Sequence, residues 1–148
     1  MILARVPVEQ AEEFSAWRFY SEGKWVDDYR QASRMVSDMA SECSVSFVPQ
    51  LNAYVLIYSE RGLSPRILAR TAPTPWGPWS SARVVYRCPE ADWDRKIFCY
   101  GAKAHPHLSS DQELAVSYVA NSFEFWQVAA DARLYWPRFV RLPLASLR

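Results

Sequence analysis

No stretch of this sequence is apolar over the ~18 residues that a membrane-spanning helix needs, so a helical membrane anchor is not expected. Charge of one sign is missing too. Seventeen Lys and Arg stand against 16 Asp and Glu, interspersed, for a net charge of +1. No basic stripe is available for nucleic acid. Cysteine is limited to Cys43, Cys88 and Cys99. An odd count excludes complete pairing within the chain, and no spacing matches a zinc site. Cys88 and Cys99 bracket the loop PEADWDRKIF and could pair in an oxidising compartment. Buried free thiols are the other reading. The N-terminus, MILARVPVEQ, lacks the apolar segment and cleavage site of a signal peptide and reads as a strand under way. Helical periodicity is sparse. Asp27–Ala40 predicts a short helix, because Asp27 or Asp28 can cap it and Ala32, Met35, Val36 and Met39 have 3,4-spacing. EFWQVAADARLY is a weaker second candidate.

What is present is apolar and aromatic. Half of the 148 residues are hydrophobic and 15% are aromatic, with seven Trp and eight Tyr. Such a chain is long enough for one domain with a real core. The aromatic excess fits a strand-rich fold, and it also fits the stacking of sugar faces on rings.

A repeat organises the strands. ILAR occurs at Ile2–Arg5 and again at Ile67–Arg70, and RFVR at Arg138–Arg141 is a weaker third copy, with a period of about 65–70 residues. SVSFVPQLNAYVLIYS (Ser44–Ser59) and AHPHLSSDQELAVSYV (Ala104–Val119) each hold two strands around a polar turn. Tyr54–Tyr58 is an unbroken apolar run, the pattern of a strand buried on both faces. With Ile67–Ala72 and Val84–Tyr86 the first complete unit has four strands. The fold class is therefore all-β, built from four-stranded antiparallel β-propeller blades with short helical loop segments. The expected organisation is a single partial β-propeller domain over 1–148. The end of one blade covers 1–26, a complete blade about 42–87, and a final blade about 96–144. That is about two and a quarter blades, where closure takes at least four. The chain is thus expected to be the C-terminal part of a longer protein, or to self-associate. A complete two-sheet β domain is the structural alternative.

Three stretches carry a family resemblance: ECSVSFVPQLNAYVLIYS, ILARTAPTPWGPWSSARVVY, and YGAKAHPHL…ELAVSYVANS followed by YWPRFVRLPL. Together they resemble the C-terminal portion of five-bladed β-propeller glycoside hydrolases of the arabinanase-like and xylosidase-like group. The nearest relative suggested is domain of unknown function 4185 and its relatives, some of which are endo-D-arabinanases. The resemblance implies a secreted or cell-envelope protein acting on arabinan-like polysaccharide. It also implies a catalytic glutamate on one blade, a histidine near the central funnel on the next, and a divalent cation such as calcium at the funnel axis.

Glycoside hydrolysis needs one carboxyl group to protonate the leaving oxygen and a second to activate water or attack directly. Glu42, at the start of an inner strand, is the general-acid candidate, and a funnel wall would desolvate it. A solvated strand-end glutamate is the alternative. The second carboxylate is harder to find. Asp27, Asp28, Asp92 and Asp94 are available but read as ordinary loop residues, and the resemblance places the catalytic aspartates on earlier blades. His105 and His107 flank Pro106, and strand alternation puts Lys103, His105 and His107 on one side. His105 is the candidate for substrate or metal contact, and His107 reads as a rim residue. Lys103, Tyr118 and Asn121 are candidate sugar contacts. Trp17, Tyr20 and Trp25 form a candidate stacking rim, with packing between blades as the plainer reading. Trp76 and Trp79 read as structural. Three functions remain open: a glycoside hydrolase, a non-catalytic sugar-binding or degenerate propeller, and an interaction scaffold.

Overall fold

The computed structural model describes residues 1–148 as three antiparallel sheets with one short α-helix and several 3-10 turns. The first sheet holds β1 (Ala4–Arg5), β2 (Arg18–Ser21) and β3 (Lys24–Val26) in the order β1-β2-β3. The second holds β4 (Met39–Val48), β5 (Ala53–Glu60), β6 (Arg66–Ala72) and β7 (Arg83–Arg87), in chain order. The third holds β8 (Ile97–Ala104), β9 (Glu113–Ser122) and β10 (Pro137–Pro143), with β9 central. No closed barrel or propeller is formed. Successive up-and-down strands of this kind are compatible with a partial blade arrangement.

The second and third sheets share one register. Ile57 on β5 pairs with Ser44 on β4 and Ala69 on β6. Ser117 on β9 pairs with Lys103 on β8 and Phe139 on β10. Both sheets therefore run inner, middle and outer strand in the same sense. The second ILAR copy and RFVR fall on the third strand of their sheets, β6 and β10, and the first ILAR copy reaches into β1.

The core lies between these two sheets. Val55, Ile57, Ile67 and Ala69 from one meet Ala104, Leu114, Val116, Tyr118 and Leu142 from the other. The opposite face of β5 and β6 buries Leu56, Tyr58 and Leu68 against Val36 and Ala40. So the apolar run of β5 is covered on both sides, and Val55 through Tyr58 have no exposed surface. Each such side chain contributes about 1.5–3 kcal/mol by leaving water. Two serine hydroxyls join the sheets at their inner edge. Ser59 Oγ accepts from Ala102 N–H at 3.3 Å, and Ser44 Oγ accepts from Ala104 N–H at 2.7 Å. They satisfy amides of β8 that have no strand beside them.

The expected helix over Asp27–Ala40 does not form. Asp28 does cap a turn, accepting from Arg30 N–H, but only Tyr29–Gln31 coils. Beyond it the backbone is held by other segments: Ser33 N–H donates to Tyr20 carbonyl, and Met35 N–H to Met1 carbonyl. Met35, Val36 and Met39 lie along the face of the second sheet instead of facing one side of a helix. The other candidate does coil, as α1 (Phe125–Ala130).

Candidate functional site

Strands β4 and β8 run side by side, and each is interrupted by a bulge, β4 near its start and β8 past its middle. The β4–β5 register shifts between Met39 and Cys43, and the β8–β9 register between Tyr100 and Lys103. Bulges re-aim side chains and recur beside functional sites. Glu42 lies in the first bulge and Gly101 in the second. Gly101 has φ of +68°, and a Cβ there would sit 3.8 Å from Glu42 Oε2. The carboxylate is thus laid against the neighbouring inner strand. Lys103 lies near the neighbouring Cys43. Burial raises the pKa of the Cys43 thiol, and the N-terminal ammonium and Lys103 oppose that rise. Glu42 itself is exposed. These three sheets do not supply the desolvation expected of a general acid.

His105 is turned elsewhere. Its Nε2 is 2.7 Å from Ser117 Oγ, and its ring packs 5.6 Å from Phe139 and 5.8 Å from His107. Lys103, Ser117 and Phe139 are register partners on the side of the third sheet facing away from the core. His105 and Glu42 share no hydrogen bond: the ring of His105 contacts Ser117, Phe139 and His107. No three His, Cys, Asp or Glu side chains are grouped to hold an ion.

Tyr118 is not a sugar contact either. It is 3% exposed and donates to Glu90 Oε2 at 2.9 Å. Burial, with hydrogen bonds to Tyr86 and Glu90, pushes its phenol far above the ordinary range. The cause lies in strand alternation, which points Tyr118 to the core side of β9. Asn121 Oδ1 accepts from the Ser122 amide, a local cap.

The expected aromatic rim is divided. Tyr20 stacks on Trp76 at 5.5 Å and meets the edge of Trp25 at 5.6 Å, and Arg5 lies 4.1 Å over Trp25. Trp17 lies apart, 6.5 Å from Phe14, with its Nε1 donating to Ala11 carbonyl. Three of the spare aspartates are spent locally: Asp28 on Arg30, Asp92 on Arg87, Asp94 on the Lys96 amide. Cys88 and Cys99 are buried free thiols. A cleft lined by Asp111, Glu113, Phe47 and Pro106 opens between the β4–β5 and β8–β9 turns, away from Glu42.

One feature escaped the sequence reading. The β9–β10 connection exposes Phe123, Phe125, Trp126, Tyr135 and Trp136, each between 65% and 74%. Trp93, from the β7–β8 connection, joins them, because Arg133 lies 4.8 Å and Arg138 5.5 Å from its ring centre. The signal was available as FEFW and YWP, an aromatic density greater than one short helix can bury.

The family model for the domain of unknown function DUF5005 matches residues 1–143. The chain belongs to the DUF5005 family. The match is to that family, and none to domain of unknown function 4185 or to arabinanases accompanies it. No curated protein matches the chain. Among solved structures, a Bacteroides ovatus protein provisionally assigned as a hydrolase is similar, at a TM-score of 0.72 and 21% identity. The similarity covers 95% of this chain and 38% of that one. At that identity it shows the fold. The chain spans less than half the length of this solved relative.

Proposed function

We propose that this DUF5005 chain is the C-terminal portion of a carbohydrate-active β-propeller hydrolase, cleaving glycosidic bonds in arabinan-like or related polysaccharide outside the cell or at its envelope. The observation that carries the reading is the pairing of bulged inner strands, with Glu42 of β4 laid against Gly101 of β8. Two successive sheets in one register support their reading as neighbouring blades. The likeness to a longer, provisionally assigned hydrolase is consistent with it.

In this mechanism Glu42 protonates the leaving glycosidic oxygen, and a second carboxylate activates water or attacks the anomeric carbon. That second group, and the wall that desolvates Glu42, come from sheets outside these 148 residues. His105 has no part in it, since its ring is committed to Ser117 and Phe139. The non-catalytic sugar-binding reading draws on a separate observation, the exposed aromatics of the β9–β10 connection.

The test is reducing-sugar release from arabinan and xylan by the full-length protein. Glu42→Gln is expected to lower kcat by about 10²–10⁴-fold, the usual worth of a general acid. Unchanged turnover in that variant would remove Glu42 from the chemistry. A wild-type protein inert on the whole panel would leave the non-catalytic reading.

A further inference from the structure

The β9–β10 connection folds by a few anchors and spends its rings on solvent. Leu134 is 3% exposed in the main core, and Val128 packs against that core. Ser122 Oγ donates to Gln127 Oε1 at 2.5 Å, and Tyr135 N–H to Ala120 carbonyl at 2.6 Å. Those contacts order the segment. Phe123 adds a ring contact to Phe98 at 4.4 Å, but the other rings stay largely in solvent, and exposed rings on an ordered loop mark a binding surface.

Charge narrows what it binds. The three cations bonded into the patch are each paired: Arg133 with Asp131, Arg138 with Glu90, and Lys96 with Glu124. Arg133 donates to Asp131 through its backbone and side chain, holding that carboxyl down at about 2. Arg95, exposed on the β7–β8 connection, has no ion-pair partner, but neither has Asp94 beside it, so no net positive charge is left over for phosphate. An anionic lipid surface or a nucleic acid calls for a basic excess, and this surface has none. What it offers is a shallow depression lined by Ala132, Arg133, Trp136 and Arg138, with the Trp93 ring against the same two guanidinium groups. That composition suits an uncharged chain with apolar C–H faces and many hydroxyls.

We infer that Trp93 and Trp136, with Arg133 and Arg138, form a stacking platform for a neutral polysaccharide. The platform lies on the connections that lead into β8 and out of β9, at the end where Ile97 pairs with Ser122. The inference deepens the proposed function and rests on it for the ligand class alone. It reads binding, so loss of hydrolysis does not bear on it.

The experiment is affinity electrophoresis of the chain through gels containing soluble arabinan, xylan or β-glucan, with polygalacturonate as the anionic control. At least one neutral polymer is expected to retard it, and polygalacturonate is not. The double variant Trp93→Ala, Trp136→Ala should weaken retardation by at least about tenfold. Both positions are exposed, so circular dichroism should show an unchanged fold. The single variant Trp136→Phe should retain most of the binding. Phe14→Ala, exposed elsewhere on the molecule, should leave it intact, and so should Glu42→Gln. The inference fails if no neutral polymer retards the chain, or if the double variant binds as well as wild type. It also fails if sedimentation shows an oligomer that the double variant disperses, which would make the patch a protein interface.

Discussion

Glu90 is the carboxylate that the core accepts, at 6% exposed. Its Oε2 accepts from Tyr118, and its Oε1 from Arg138 Nε at 2.7 Å. Arg138 in turn donates to the Trp136 and Arg133 carbonyls. One buried pair thus fastens the β7–β8 connection, the middle of β9 and the aromatic connection to each other. Breaking such a pair from one side leaves a charge without a partner. Arg138→Ala is therefore expected to destabilise by about 3 kcal/mol, and Tyr118→Phe by about 1–2 kcal/mol through the loss of one buried hydrogen bond. Urea unfolding measures both. If Arg138→Ala costs less than about 1 kcal/mol, solvent screens the pair and the fastening role is lost. The sequence could not reveal this arrangement. Glu90 looks like any loop acid in PEADW, and its partners are 28 and 48 residues away. Tyr118 was read as a sugar contact for the same reason: its residue type suits either role, and only the side of β9 it faces decides.

The strands were legible because burial on two faces leaves a continuous apolar run, as in Val55–Ile57, and because polar turns bound each run. The segment before β4 was misread because 3,4-spaced apolar residues suit an amphipathic helix and also an irregular chain lying on a sheet. What decides between them is where the amides go, and Met1 and Tyr20 supply acceptors far away in sequence. Glu42's place in a bulge was equally hidden, since the bulge depends on how β4 and β5 pair. The β6–β7 connection gives a test. Gly77 has φ of +103°, and a Cβ there would stand 3.0 Å from the Trp79 backbone nitrogen. Thr74 Oγ1 donates to its carbonyl, so the turn has little freedom to adjust. Gly77→Ala is expected to cost about 1–3 kcal/mol in unfolding free energy and to shift Trp79 on the Leu56–Tyr58–Leu68 face. A thermal midpoint matching wild type would show that the turn relaxes freely.

The three sheets are not equally bound to one another. The second and third share an 18-residue core and the serine links at Ala102 and Ala104. The first sheet has Phe19 as its buried aromatic and reaches the second through Met1, Met35 and the Tyr20–Trp76 stack. Segments with little buried apolar area open locally, at a cost well below global unfolding. Amide hydrogen exchange should therefore divide the molecule. The Tyr20 and Ser33 amides, bonded to Leu3 and Tyr20 carbonyls, should exchange early. The amides of β5 and β9, central strands with a partner on each side, should exchange only with the whole molecule. The two groups should also respond differently to Trp76→Ala. That change removes the stacked ring, so it should speed exchange in β2 while leaving β9 near its wild-type rate. Equal protection in all three sheets, or equal acceleration by the substitution, would mean that the first sheet belongs to the same cooperative unit. The outward side of the third sheet, with Phe139 exposed beside His105, corresponds by register to the side of the second sheet that is buried. A further sheet docked there in the full-length protein should slow exchange along β10 and leave β5 unchanged.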